Sequence, residues 1–336
     1  MLLRAHSQAA SVIAYTMPIS KKKIVCFGGG TGLSTLLSGL RGNKNVDITA
    51  VVTMFDNGRS SGELCDRFGV LPPGDIMKCM VALAQYPEVV REMLNKRVVR
   101  SGHAPHSAGN MLLMGIEKVY GDYNQAIEIF SELLSIQGRV LPVTTTPSTL
   151  CAEIANGEII EGQIAIVAIL QKRHMVKRIF LKPNVSASPA VIKAINTADV
   201  LVVGPGSFYE SVLPNFLPAG VAAAVSRSHA PILYITNLLT EGVGMSKDVP
   251  LATWIAEAES YVGRPFSNII VNKSKPDRAV RAAYEKEGKY PLLWDASLRS
   301  DPRYVPEDLW KKTRIARHDP IQLTKTLVRL IKKLAR

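Results

Sequence analysis

The chain has 336 residues, of which 47% are hydrophobic, so it can bury a sizeable core and is not disordered over most of its length. Its net charge of +13 lies mainly at the termini. Four cations and no acids fall in residues 1–23, and ten cations against three acids fall in residues 302–336, which leaves only +2 for residues 24–301. Nucleic-acid binders spread positive charge over the folded body, so we predict no nucleic-acid partner.

The cysteines and the apolar runs exclude other classes of protein. Cys26, Cys65, Cys79 and Cys151 form no CxxC pair and no Cys/His ligand spacing, which argues against a zinc module or a disulfide framework. This usage fits a reducing cytosol, so we expect a cytoplasmic protein. No apolar run reaches the roughly 18 residues of a membrane helix, and we expect no stable membrane insertion. Residues 1–21 are predicted to be a disordered extension preceding a single domain over 22–336.

From Lys22 onward the pattern alternates strand, loop and helix. The apolar run at 23–27 ends in a glycine loop, after which leucines recur at helical spacing up to Leu40. The next β-rich run spans 46–54, and the turn at 72–75 introduces a helix that continues through Leu83. Segments 110–119 and 123–136 also read as helices. Strand patterns return at 199–203, 232–236 and 269–271.

Two segments depart from this alternation. Residues 139–182 alternate apolar and polar side chains around Asn156-Gly157, a strong hairpin signal, and are predicted to form a side sheet. Residues 320–336 place leucines on one helical face and cations on the other, which predicts an amphipathic C-terminal helix docked on the core. The fold class is therefore α/β: a Rossmann-like, doubly wound, mainly parallel sheet with a small antiparallel β-hairpin insertion.

The first glycine loop follows a strand and opens a helix, a position where backbone N–H groups can converge on an anion. No Gly-Lys-Ser/Thr follows, so it is not a Walker A loop. It also departs from the strict dinucleotide fingerprint, because Leu33 stands where the third glycine would be.

The loop after the second strand carries several polar candidates. Ser60 and Ser61 could wrap a phosphate that Arg59 would neutralise. Asp56 stands where an acid could take a ribose hydroxyl or a magnesium ion. Asp75 comes just before a predicted helix, where it serves either the site or the helix as an N-cap. Asp56 and Asp75 are the catalytic candidates, with Asp56 the candidate metal ligand.

Further polar loops follow later strands or open later helices. Because the carboxyl ends of parallel strands share one sheet edge, we expect one extended pocket there. The predicted nucleotide- or phosphate-binding residues are Gly28, Gly29, Gly30, Thr31, Gly32, Asn57, Arg59, Ser60, Ser61, His106, Asn110, Gly204, Gly206, Ser207, Tyr209, Asn215 and Asn237.

Five motifs taken together carry a family resemblance: GGGTG, DNGRSSGEL, GVLPPGD, HSAGN and GPGSFYESVLPN, in this order. The set resembles the CofD-like superfamily (2-phospho-L-lactate transferase-like), and within it the YvcK-like gluconeogenesis factors, from about Lys22 to about Leu334. The resemblance implies a Rossmann-like domain with a nucleotide in the strand-end cleft.

The resemblance implies different functions for two branches. The CofD branch transfers a phospholactyl-type group from a guanylyl-activated donor, with magnesium. The YvcK branch is tied to growth on gluconeogenic carbon, cell shape and cell-wall precursor supply, and its members bind UDP-sugars through a tyrosine and an arginine that match Tyr284 and Arg317. The chain departs from the family pattern at the predicted metal site. Asn57 stands where the family has a second carboxylate, which weakens a magnesium site, and Arg59 adds a fixed cation that could take the metal's place beside a phosphate.

Three hypotheses therefore stay open. The first is a UDP-sugar-binding regulator, the second a Mg²⁺-dependent CofD-like transferase, and the third an NAD-binding oxidoreductase. Whether the protein is an enzyme is left undecided, and a homodimer is compatible with the sequence.

Overall fold

The computed structural model describes residues 21–98, 106–171, 176–241, 249–292, 294, 298–311, 313 and 315–334. The predicted N-terminal extension, except Lys21, therefore lies outside the described residues. In the helices and strands, the side chains of Arg59, Ser60, Pro87, Val98 and Gln171 are also outside the description.

Strands and helices alternate along most of the chain. The strands are β1 (Lys22–Gly28), β2 (Val46–Val52), β3 (Arg97–Val98), β4 (His106–Ser107), β5 (Arg139–Pro142), β6 (Thr149–Ile154), β7 (Ile159–Glu161), β8 (Val176–Lys182), β9 (Val200–Val203), β10 (Ile232–Ile235), β11 (Asn268–Asn272) and β12 (Tyr304–Glu307). The α-helices are α1 (Gly30–Leu40), α2 (Arg59–Phe68), α3 (Gly74–Leu83), α4 (Pro87–Asn95), α5 (Ala108–Tyr120), α6 (Tyr123–Leu133), α7 (Gln163–Gln171), α8 (Pro189–Asn196), α9 (Val221–Arg227), α10 (Leu251–Val262), α11 (Arg278–Glu285) and α12 (Pro320–Leu334).

The main sheet has seven strands in the order β12-β11-β10-β9-β1-β2-β5, and every neighbouring pair is parallel. Its central strands are continuous apolar runs, because helices cover both faces; every residue of β9 and β10 is buried. The chain fills the sheet outward from β1 first in one direction and then in the other. The winding therefore reverses between β1 and β9, where ligands bind in doubly wound folds. The predicted fold class is confirmed.

The side sheet has three antiparallel strands in the order β7-β6-β8, and the Asn156-Gly157 turn joins β6 to β7. Gly157 has φ +88°, the left-handed region that this turn requires. Two parts of the segment 139–182 do not belong to the predicted side sheet. Residues 139–142 form β5, which pairs in parallel with β2 in the main sheet. Residues 163–171 form α7, because a short apolar run reads equally well as strand or helix.

The C-terminal helix α12 docks on α1. It buries Leu323, Leu327, Leu330 and Ile331, as its leucine spacing predicts. The two helices approach so closely that a Cβ on Gly39 would overlap the Pro320 carbonyl and the Thr324 hydroxyl. Across the part of the chain that the structure describes, no helix is long and apolar enough to cross a bilayer.

Candidate functional site

The first glycine loop connects β1 to α1 at the reversal point of the sheet. Gly29 is the N-cap of α1 in extended conformation, and no side chain caps the helix. Gly30 has φ +57°, which favours glycine. The loop also touches the second glycine loop, since a Cβ on Gly32 would overlap the backbone of Pro205. The N–H groups that open α1 therefore have no side-chain cap, the arrangement that suits an anion at a helix N-terminus.

Of the two predicted acids, Asp75 lies beside this loop and Asp56 lies near Asp75. A Cβ built on Gly29 would come within 2.6 Å of Asp75 Oδ2, and Lys78 Nζ donates to Asp75 Oδ1 at 2.9 Å. Pro73 is the N-cap of α3, so of the two roles left open for Asp75 the N-cap is excluded; Lys78 donates to its carboxylate instead. Burial, reinforced by Asp75, raises the pKa of Asp56, against the hydrogen bonds from the Gly58 N–H and Ser61. Lys78 offsets part of the negative charge.

The second glycine loop, after β9, is occupied by the chain's own side chains. The Phe208 N–H donates to both carboxylate oxygens of Glu241 at 2.8 Å, and the Ser207 hydroxyl donates at 3.1 Å. The Asn237 amide donates to Glu241 at 2.6 Å and accepts from the Gly206 N–H at 3.2 Å. A phosphate at this loop would have to displace the Glu241 carboxylate. The loop therefore favours neutral donors such as hydroxyl or imide groups.

The Glu241 carboxyl makes stability depend on pH. Burial, together with nearby Glu210, raises its pKa from 4.5 to about 8. The folded protein holds this proton more tightly than the unfolded chain does. The protonated carboxyl therefore contributes its full stabilisation to the folded state below about pH 4.5, and this stabilisation is lost as pH rises through about 8. The amide side chain that the substitution Glu241→Gln introduces stays neutral at every pH. Between pH 5 and pH 9 we therefore expect the free energy of unfolding of this variant to rise relative to that of the wild type by about 1–3 kcal/mol.

Urea unfolding across this pH range checks the expectation. The control is Glu132→Gln at the surface, whose free energy of unfolding should depend on pH in the same way as that of the wild type. Parallel profiles for Glu241→Gln and the wild type would show that Glu241 does not titrate in this way.

A basic cleft of about 380 Å³ runs along α1. One wall is the hydroxyl row of α1, with Thr31 at its first turn. The cations that line it are Lys78, Arg91, Lys311 and Arg317. Among the described residues, Arg91, Lys311 and Arg317 form no ion pair. The cleft therefore concentrates positive charge beside the first glycine loop.

A second cleft, of about 410 Å³, lies on the other side of the loop and is here called the tyrosine cleft. It is lined by Gly32, Gly206, Asn237 and Tyr284, among others. The Tyr284 hydroxyl accepts a hydrogen bond from the Ala316 N–H at 3.0 Å, which ties α11 to the segment that carries Arg317.

His318 lines both clefts. Its Nε2 is 3.1 Å from the Thr236 carbonyl oxygen, which can only accept, so Nε2 carries the proton. Burial lowers the pKa of His318 to about 4, and the imidazole is neutral at pH 7. Tyr284 and Arg317 thus line adjoining clefts that meet at one neutral histidine.

Some predicted residues make contacts within the fold. Asn215 is fully buried and donates to the carbonyls of Gly28 and Ser211 at 3.1 and 2.7 Å, so it braces the first loop from below. The Tyr209 hydroxyl donates to Glu257 at 2.8 Å. Asn57 accepts from the Ile164 N–H at 3.1 Å, which joins the loop after β2 to α7.

Other predicted residues lie away from these clefts or outside the description. His106 lies in β4, which pairs with β3, and its Nε2 is 3.9 Å from Glu63 Oε1 of α2. Asn110 is buried in the first turn of α5, and its N–H donates to Ser107. The backbone of Arg59 and Ser60 opens α2, but their side chains lie outside the described residues.

A third cleft, of about 510 Å³, opens between α2 and the side sheet. Asp56 and Asn57 line it, together with Lys182 and several apolar side chains. Asp56, which interacts electrostatically with Asp75, therefore also borders this largely apolar cleft.

Sequence reasoning missed Glu241 and His318. Glu241 stands alone in its loop, and only its position four residues after Asn237 connects it to the strand-end edge. His318 directly follows Arg317, but nothing in the local pattern shows that it is buried between two clefts. Lys78 could have been found, since it lies three residues after Asp75 on one helix.

Comparison with known proteins places this geometry in a family. The profile of the family described as 2-phospho-L-lactate transferase CofD matches residues 24–308. The gluconeogenesis factor of Listeria innocua is 38% identical over 249 residues, which cover 74% of this chain and 76% of that protein. The gluconeogenesis factor of Bacillus subtilis is 34% identical over 319 residues, 93% of this chain and 99% of that protein.

A solved structure gives the same result. The crystal structure of a UPF0052 family member from Bacillus halodurans is 32% identical, with a TM-score of 0.85, over 92% of this chain and 99% of that one. Both the sequence similarity and the structural similarity thus extend over nearly the whole chain. The chain belongs to the CofD family, within which it is similar to the gluconeogenesis factors.

Proposed function

We propose that this protein is a cytoplasmic nucleotide-sugar-binding regulator that links carbon allocation to cell-wall precursor supply and cell shape. The observation that carries the proposal is the uncapped N-terminus of α1, which opens between the basic cleft and the tyrosine cleft. A UDP-sugar has a matching distribution of charge, because its diphosphate joins two neutral halves.

The contacts support one placement of this ligand. The diphosphate would lie against the N–H groups of Gly30 and Thr31, with the Arg317 guanidinium beside it. A neutral half would enter the tyrosine cleft, where Tyr284 and the neutral His318 offer hydrogen-bond partners. The Glu241 carboxyl in the second loop would accept hydroxyl or imide N–H donors rather than face a phosphate.

The sizes of the clefts also support the proposal. Each has a volume within the roughly 300–1,000 Å³ that small-molecule sites occupy. The two adjoining clefts together offer room for both halves of a nucleotide sugar.

Complementation tests the regulatory claim. A Bacillus subtilis strain lacking its own gluconeogenesis factor should regain growth on gluconeogenic carbon when it expresses this chain. Arg317→Ala should fail to restore growth although the variant accumulates to the same level. Full rescue by Arg317→Ala would separate the cellular role from the nucleotide-sugar site.

A second candidate is a CofD-like transferase, favoured by the closeness of Asp56 and Asp75. Their carboxylates are near enough to interact electrostatically. The described residues contain no group of three acidic, histidine or cysteine side chains suited to a metal. Mg²⁺ often keeps waters and takes substrate phosphates as ligands, so the two aspartates would fit it once a phosphorylated ligand is bound. The ion would neutralise phosphoryl oxygens there.

The transferase hypothesis has its own test. GDP should bind more tightly with Mg²⁺ present, and Asp56→Asn should remove that difference. Mg²⁺-independent binding, together with no transfer product from a guanylyl-activated donor, would eliminate the candidate.

A further inference from the structure

The C-terminal helix α12 carries positive charge on the side that faces away from α1. The sequence of α12 and the two residues after it contains five cations and no acid. On the helix itself, Lys325, Lys332 and Lys333 are exposed and form no ion pair with any residue that the structure describes. The fourth cation of the helix, Arg329, pairs with Glu307 of β12. The helix therefore presents three uncompensated lysines to solvent.

Helical spacing brings two of these lysines into line with two aliphatic side chains. Ile321, Lys325, Val328 and Lys332 follow one another at intervals of four, three and four residues, which places them in one row along the helix. Ile321 is 63% exposed, and Val328 is half-buried. The row is about 17 Å long. Positive and apolar side chains thus alternate on one face.

This face is open along its length. The row borders a groove of about 440 Å³, and the residues that line the groove are Thr324, Lys325, Val328, Arg329 and Lys332. All of them belong to α12, and no second element contributes a described residue to the lining. An extended surface can therefore approach the helix from the side.

The chemistry of the row favours an anionic membrane surface as the partner. The unpaired cations on it are lysines, which act as point charges, whereas recognition of individual carboxylates on a protein typically uses the planar fork of arginine. The helix has no aromatic side chain on which a nucleic-acid base could stack. Lysines can keep their ammonium groups among lipid headgroups while their stems and the neighbouring aliphatic side chains reach the acyl boundary.

We propose that the outer face of α12 binds the surface of an anionic lipid membrane. This face comprises Ile321, Lys325, Val328, Lys332 and, at its edge, Lys333. The contact is peripheral, since the apolar side of the helix is docked on α1 and its 15 residues are too few to cross a bilayer. The proposal does not rest on the nucleotide-sugar site, because none of these five residues lines the basic cleft or the tyrosine cleft.

Flotation of the full chain with lipid vesicles is the experiment. The wild type should bind vesicles made of equal amounts of phosphatidylglycerol and phosphatidylcholine, and it should stay unbound with phosphatidylcholine alone. Added salt should release it, because salt screens the attraction between exposed charges. Each lysine near an anionic surface contributes about fivefold in affinity, so the double substitution Lys325→Gln and Lys332→Gln should weaken binding about 25-fold.

The matched control is the double substitution Lys44→Gln and Lys193→Gln, which removes the same charge from two exposed lysines outside α12. It should bind the anionic vesicles as the wild type does, and circular dichroism should show that both double variants are folded. Calorimetry with UDP-N-acetylglucosamine should give one result for the wild type and the α12 variant, whether or not the nucleotide sugar binds. This comparison separates the membrane contact from the proposed function.

Two outcomes would overturn the proposal. A wild type that fails to bind the anionic vesicles would do so, whether the face is bare or is covered by an acidic protein. Equal weakening in the two double variants would do so as well, because net charge and not the face on α12 would then account for the binding.

Discussion

Replacing Gly32 with alanine is expected to destabilise the protein by about 3 kcal/mol and to abolish nucleotide-sugar binding. The new Cβ would overlap the Pro205 carbonyl and lie 2.7 Å from its carbon and 2.9 Å from Gly206 Cα. All of these are backbone atoms, so no side chain can rotate away. The two glycine loops would have to separate, and the anion site at α1 would open with them.

Urea unfolding followed by circular dichroism measures this effect. Gly206→Ala is the matched control, because a Cβ there makes only ordinary contacts at 3.4 Å or more. It should change the free energy of unfolding by less than about 1 kcal/mol. Equal stability of Gly32→Ala and the wild type would show that the two loops are not in contact.

Replacing Arg317 with alanine is expected to weaken nucleotide-sugar binding by about 1.5–3 kcal/mol, the range of a lost charge-assisted hydrogen bond. This corresponds to a roughly 10- to 150-fold higher dissociation constant. Arg317 is exposed and forms no ion pair with the described residues, so its guanidinium is available to the ligand at little cost to the fold.

Isothermal titration calorimetry with UDP-N-acetylglucosamine measures the change. The control is Arg278→Ala, which removes an exposed guanidinium from α11 outside the basic cleft. Its dissociation constant should match the wild type, and both variants should melt at the temperature of the wild type. If Arg317→Ala binds as tightly as Arg278→Ala, the basic cleft does not hold the diphosphate.

Much of the fold follows from local pattern. The apolar runs that become β1, β2, β9 and β10 are short, continuous and followed by glycine or polar loops, which is typical of buried parallel strands. The leucine spacing of α12 likewise shows which side docks. Strand order is different, because it depends on which way each crossover turns, and no residue within a strand records that. The pairing of β5 with β2 is an example.

The candidate site was predictable in part for the same reason. Glycine loops after strands could be placed at one sheet edge without knowing the strand order. What the loops do depends on long-range contacts. Asn215 reads as a polar loop residue, yet it is fully buried and holds the Gly28 carbonyl. Glu241 satisfies the donors that Ser207 and its neighbours would otherwise offer a phosphate.

The two glycine loops differ in the hydrogen-bond donors that they leave available to a ligand. The first loop leaves the N–H groups of α1 without a side-chain cap and has cations nearby. The second has its donors bonded to a carboxyl whose pKa is raised to about 8. A ligand with one concentrated negative charge and a neutral half fits this pair better than one with phosphates at both loops.

Parallel calorimetric titration of the wild-type protein with UDP-N-acetylglucosamine, GDP and NAD tests the central claim most directly. Saturable binding of the UDP-sugar, with much weaker binding of GDP and NAD, is the predicted result. Preference for GDP in the presence of Mg²⁺ would favour the transferase, and preference for NAD would favour the oxidoreductase. Failure of the UDP-sugar to bind would contradict the account.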